Sequence, residues 1–411
     1  MDKKIIVIAV VAVIIVAAAA AIILMNKGGS DDKVDGLSIV GRVNSEGSGI
    51  ILAKDQDASD YFTRQAEMPA VGAFSIYNSS EKMYYVFHPE GWGGKIFATP
   101  GLATIQHVQL MDLANLMHMK FASYTDGMTT SDDTIYYIAG VPSFAEFQNK
   151  EKSADLAGFI IWEAQFSVGV EKGYIPLVLT NSLFEGHTCC IIGASNEFLD
   201  KKEDAFVTFL SVYANAVDRI NEALFDESSA DYKTLVDIAF NRVTMPDGMT
   251  DEEKMNAIKG ALENVTYLYA DDSTGGLSNL KADIATLAEN LYNAKQIQKS
   301  ASDLGFKSYT ELANKFVNDK YMKEAMKIDA VKLSTKTTIN VAAISGDIHQ
   351  IALWFAKDTG MFDAMNLEIV VYGQSAGPAV YGLIANGEAD IGFLGAPPMT
   401  IRCMNAEDIH A

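Results

Sequence analysis

Hydrophobic positions change period along the chain, and the change is clearest in its last part. Ile339–Ile344, Leu367–Tyr372 and Ala389–Leu394 are short, unbroken apolar runs rich in β-branched residues. Between them Gln350–Thr359 and Pro378–Asn386 carry apolar residues at helical spacing and stop at Gly360 and Gly387; Pro397–Asn405 follows as a third helix. Buried strands alternating with helices of about ten residues predict parallel βαβ units, with the sheet covered on both faces. Residues 338–411 thus make half a domain. Earlier, residues 37–54 predict two strands around Asn44–Gly49. Gly72–Tyr77 and Met83–Phe87 predict a hairpin with its turn at Asn78–Ser80. Lys95–Thr99, Tyr136–Ala139, Leu156–Trp162 and Thr188–Ala194 read as strands. Helices are expected over 103–117, over 144–150 behind a Ser143 cap, and over 196–222. Residues 232–326 are helical throughout, in the stretches 230–240, 250–265, 276–299 and 308–323, with a Thr250/Glu253 capping box. Residues 326–336 have no strong pattern. Residues 338–411 do not repeat residues 37–110.

The first residues follow neither period. Two lysines precede Ile5–Met25, an uncharged stretch of 21 residues. As a helix it would be about 31 Å long, close to the hydrocarbon thickness of a bilayer. It exceeds the usual apolar core of a secretory signal, about 7–15 residues, although the Ala17–Ala21 run offers a peptidase small residues. No cysteine follows it for a lipid anchor. Lysines before the span and an acidic chain after it put the amino terminus inside and the remainder outside. Residues 26–36 form a polar tether. The whole chain has 411 residues, a formal charge of −21 and 49% hydrophobic residues. That length suffices for two lobes or domains. The charge, with no basic run beyond the start, argues against a nucleic-acid partner. The three cysteines, Cys189, Cys190 and Cys403, have no metal-ligand spacing and read as small buried residues. Neighbours in sequence are poorly placed to bridge each other. No metal or cofactor is expected, and the scattered histidines make no ligand set.

A family resemblance rests on motifs in a fixed order. They are the polar loop Ser345, Gly346, Asp347, His349 after the first strand; a helix ending KDTGMF; NLEIVVYGQSAGP; NGEADIGFLGAPP; and Asn405. This order resembles the opening lobe of the periplasmic-type solute-binding proteins of the nitrate/sulfonate/taurine transport family, which includes thiamine-pyrimidine-precursor binders. In that family the next text is a strand, Asn-x-Glu-Gly-Ser and another strand, and here it stands near the beginning, as GLSIVGRVNSEGSGIILAK. GGKIFATPG resembles the family's Gly-Lys entry to the second lobe, and Trp162–Glu163 its Trp-Glu pair. The resemblance implies an α/β, two-lobe, type II periplasmic-binding-protein fold, circularly permuted and carried on an N-terminal transmembrane helix. Permutation requires close natural termini and an exposed break point. The implied parts are an anchor over 1–25, a tether over 26–36 and the second part of lobe 1, with a hairpin insertion, over 37–94. Lobe 2 then spans 95–193, the return to lobe 1 with a helical cap 194–326, a linker 327–337, and the first part of lobe 1 338–411. The lobe crossings would fall near 91–95 and 186–194. The insertion over 55–91 reads as a flap covering the core, with a lid as the alternative.

In an open parallel sheet, ligands lie beyond the carboxyl ends of strands. The candidate ligand-binding residues are Asp347, His349, Gln350, Ser375, Gly377, Gly395, Ala396, Thr104, Gln106, Trp162 and Glu163. Helix starts at these positions offer free N–H groups to an anionic or polar group. Gly377 and Gly395 permit close backbone approach. Each feature also has a plainer role: Asp347 as a helix cap, the Gly-Pro turns as helix starts, His349 as a loop residue. Trp162 suits a pocket wall. Glu163 either meets a ligand amine or points away and acts across the lobes, and His107 is expected on a helix surface. No Ser-His-Asp set, phosphate loop or zinc motif appears, so no catalytic residue is expected. The expected function is an extracytoplasmic solute-binding protein, membrane-tethered, delivering a small polar or anionic solute to an ABC transporter permease. The alternatives are an enzyme like the thiamine-pyrimidine synthases, whose cysteine-rich run is missing here, and a truncated tandem remnant without transport activity.

Overall fold

The computed structural model describes residues 36–405 apart from Asp329. The expected membrane span and most of the tether lie outside the described residues. Among the described residues fifteen strands occur in chain order: β1 (Leu37–Glu46), β2 (Ser48–Leu52), β3 (Phe62–Gln65), β4 (Ser75–Asn78), β5 (Met83–Phe87), β6 (Ile96–Thr99), β7 (Lys120–Ser123), β8 (Thr134–Ala139), β9 (Leu156–Trp162), β10 (Ile175–Leu179), β11 (Thr188–Ser195), β12 (Val265–Tyr267), β13 (Thr337–Ile344), β14 (Leu367–Gln374) and β15 (Ile391–Gly395). The architecture is mixed α/β. One six-stranded sheet has the order β12-β1-β11-β15-β13-β14, a second has β10-β2-β9-β6-β8-β7, and a small antiparallel sheet has β3-β5-β4.

The first sheet joins the two ends of the chain. β13 pairs in parallel with β14 and β15, as the βαβ pattern requires. β15 then pairs antiparallel with β11, from Cys190↔Gly395 to Ala194↔Ile391, and β11 pairs antiparallel with β1. The C-terminal strands and Leu37–Glu46 therefore share one backbone ladder, with β11 between them. One core cluster holds Ile39, Val43, Ile191, Ile339, Val341 and Phe393, so the same apolar interior includes segments from both ends of the sequence.

The crossings between the large sheets differ from the sequence expectation. β1 lies in the first sheet and β2, one residue later, in the second. Gly47, at φ +78°, turns the chain between them. Residues 48–94 thus belong with the second sheet or the small one, where the sequence reading kept 37–94 together and put the crossing at 91–95. Alternating or continuous apolar runs identify strands but carry no label for the sheet they enter. The return runs over residues 180–187 into β11, so the second sheet ends before residue 193. In the small sheet β4 and β5 form the expected hairpin and β3 pairs on β5's other edge. Its Phe62, Tyr85 and Phe87 pack with Trp92 and Phe97 of the second sheet's core, which is a flap's place.

Further differences lie in helix interruptions and in unexpected strands: β12 breaks the stretch 232–326 that reads as helical throughout, and β3, β7 and β10 are additional. The expected 196–222 helix is two, Asn196–Lys201 and Glu203–Phe225; the expected 308–323 helix is Tyr309–Phe316 and Lys320–Ala325. The Thr250/Glu253 capping box forms in both directions, opening the helix Asp251–Asn264. Ser143 Oγ accepts from Glu146 N–H at the start of Phe144–Glu151.

Candidate functional site

Gly47 is where the two large sheets meet chemically. Its carbonyl accepts from the Glu163 N–H at 2.8 Å, just past the end of β9. It also accepts from His349 Nε2 at 3.0 Å, in the loop after β13. Carboxyl-end loops of parallel strands from both sheets thus converge on one backbone oxygen. A Cβ on Gly47 would lie 2.5 Å from His349 Nε2 and 2.8 Å from Val265 Cγ2, so only glycine fits there.

Asp347, His349 and Gln350 form one cluster, turned largely inward. Asp347 Oδ1 accepts from the His349 N–H at 3.0 Å, capping the short helical turn Ile348–Gln350, and faces His349 Nδ1 at 2.7 Å. With acceptors at both ring nitrogens, His349 is an imidazolium. Burial disfavours that charge, but the adjacent Asp347 carboxylate outweighs burial and raises the pKa to about 10. Gln350 is wholly buried. Its Oε1 accepts from Ile344 N–H, and its Nε2 donates to Phe393 O at 3.2 Å and Asp347 Oδ2 at 3.3 Å. It braces the β13 and β15 ends; Asp347 is the member of this cluster nearest the surface.

Glu163 is buried and acts across the sheets. It accepts from Ser167 N–H, from Ser167 Oγ, and from Asn264 Nδ2 at 2.7 Å, the last at the end of the helix Asp251–Asn264. Burial pushes its carboxyl up, opposed by these three donors. Beside it Trp162 is half-buried and registers with Ser48. Gln106 donates to Ser48 Oγ at 2.8 Å, so Gln106, Trp162 and Glu163 share the β2 side of the junction. Thr104 caps the helix Ile105–Leu116: its hydroxyl donates to Gly101 O and accepts from His107 N–H. His107 is buried, not on the helix surface as expected, because its ring packs edge-on against Tyr137; burial lowers its pKa to about 4.

Gly377, Gly395 and Ala396 form a third group, at two helix starts. A Cβ at Gly377 would meet Pro398 Cγ at 2.8 Å and one at Gly395 would meet Pro398 Cδ at 3.3 Å, so both glycines answer to packing against that proline. Ser375 is exposed beside them, and Ala396 is buried with its carbonyl taken by Thr400 Oγ1.

Sequence reasoning missed two features. Gln109, one turn beyond Gln106, is buried, and neither its Nε2 nor its Oε1 has a protein partner. A glutamine in a helix buried over several faces, as Ile105–Leu116 is, carries no sequence signal for this. The second feature is a group of possible metal donors, Cys190, Asp347 and His349, drawn together by pairing of distant segments. Comparisons with protein-family models, with curated proteins and with solved structures return no match.

Proposed function

We propose that the chain is an extracytoplasmic solute-binding protein that delivers a small polar or anionic solute, of the sulfonate, nitrate or pyrimidine-like class, to an ABC importer. In this reading the two large sheets are the cores of two lobes, Gly47 and residues 180–187 are the hinge segments, and residues 5–25 tether the protein to the membrane. The observation that carries it is the convergence of the β9 and β13 carboxyl-end loops on the Gly47 carbonyl. Such loops are where open α/β sheets take ligands, and a hinge at that point lets closure and binding be one event. The half-buried Trp162 and exposed Ser375 are aromatic and polar groups accessible to a solute. Closure signals to a permease only if the solute binds the closed form better than the open one.

The test is thermal melting of the protein with sulfonates, nitrate, amino acids and pyrimidines. One class is expected to raise the melting temperature in a concentration-dependent way. Trp162→Ala is expected to remove that shift while keeping the ligand-free melt. No shift from any class would count against the reading.

A further inference from the structure

The backbone bends two cysteines together where it enters the first sheet. Adjacent side chains of a regular strand point to opposite faces. Here the β1–β11 register slips between Arg42 and Ser45, and Cys189 is left without a register partner. The Cys189 and Cys190 sulfurs are consequently 3.7 Å apart. The loop after β13 faces the same point: ligand atoms of Cys190, Asp347 and His349 lie within 4.8 Å of one another. His349 Nε2 donates to the Gly47 carbonyl. Metal-bound imidazoles are commonly oriented by such a carbonyl, which leaves the other nitrogen as the ligand. Nδ1 and Asp347 Oδ1, at 2.7 Å, would have to part only to roughly 3.3 Å to share a cation with bonds near 2 Å.

We propose that Cys190, His349 and Asp347, with Cys189 as fourth donor after a χ1 rotation, form a tetrahedral site for Zn²⁺ or a divalent ion of the same class. Two sulfurs and an imidazole with a single carboxylate suit a borderline ion rather than Ca²⁺ or Mg²⁺, which prefer oxygen. The cysteines and His349 are at least nine-tenths buried and the Asp347 side chain is 10% exposed, so the ion enters past Asp347 and is then enclosed. Enclosure makes the site structural. It ties β11 to the loop after β13, beside Gly47, whatever the protein binds elsewhere. Binding releases the Nδ1 proton and the thiol protons to solvent.

The experiment uses the full chain in detergent. A thiol count under denaturing conditions on the protein as isolated is expected to give three; a count of one, from a Cys189–Cys190 disulfide, would overturn the proposal. The chelator-stripped protein is then titrated with Co²⁺. One equivalent is expected to produce a thiolate-to-cobalt charge-transfer band and intense tetrahedral d–d bands, both displaced by Zn²⁺. Cys190→Ala, checked for folding by circular dichroism, should lose roughly half of the charge-transfer intensity, one of the two thiolates being gone, and bind Co²⁺ more weakly. Cys189→Ala should keep a weaker band, and Cys403→Ala, buried elsewhere, should behave as wild type. A pale octahedral spectrum, or an unchanged one in Cys190→Ala, would overturn the proposal.

Discussion

His349 holds its proton because both ring nitrogens face acceptors, and this makes part of the stability depend on pH. Its ordinary pKa is 6.5 and the folded value is about 10. A group whose pKa rises on folding stabilises the fold fully below the unfolded value, and that contribution is lost as pH rises toward the folded one. In chelator, the urea-unfolding free energy of wild type should fall relative to His349→Gln between about pH 7 and 10, by up to about 1.4 kcal/mol per pH unit. Parallel pH profiles for the two proteins would refute the imidazolium assignment. Asp347, His349 and Gln350 were legible as site candidates because a polar run after a buried strand marks a carboxyl-end loop. Two of their inward hydrogen bonds were not, since the partners come from remote segments: Gly47 for His349, Phe393 for Gln350. Glu163 shows the same limit. Its place after β9 was readable, whereas its bond to Asn264 requires the helix 251–264 to be packed first.

Among elements, the β1–β2 connection concentrates most constraint in one residue. Gly47 combines a left-handed φ of +78° with contacts that exclude a Cβ, and its carbonyl serves both sheets. Gly47→Ala should cost about 2 kcal/mol or more, from strain and displacement of the His349 ring. Urea unfolding measures it; a loss within about 0.5 kcal/mol, the range of an ordinary surface change, would mean that this junction is not rigidly held. Strands of strong apolar character, such as Leu156–Trp162, were readable to the residue. β7, β10 and β12 were not: Lys120–Ser123 and Val265–Tyr267 are too short to show a period, and β10 contains Pro176. β10 can hold that proline because it is the outer strand of its sheet.

At the scale of the whole molecule, the order of strands in space matters more than their order along the chain. Residues 337–405 supply three strands of the first sheet, but reach the preceding helix only through 327–336. Lys327, Lys332 and Lys336 in that connection are exposed. Its described residues are tied to the body by side-chain and loop contacts and by no ladder: Asn366 Nδ2 to Leu333 O at 2.6 Å, Leu333 N–H to Met365 O at 3.1 Å, the Ser211 and Thr208 hydroxyls to Ile328 O and Val331 O, and an exposed Lys336–Glu368 ion pair. β15, by contrast, is laddered to β11 over its whole length, and the helices Gly377–Ala385 and Ala396–Asn405 bury Val380, Ile384, Met399 and Met404 in the common core. Limited trypsin should therefore cut first within 327–336. The two fragments should stay together in native size-exclusion chromatography and part only in denaturant, because the cut removes connectivity without removing the ladder or the apolar burial. Fragments that separate under native conditions would show that the C-terminal strands depend on their covalent link rather than on the sheet they share with residues 37–46.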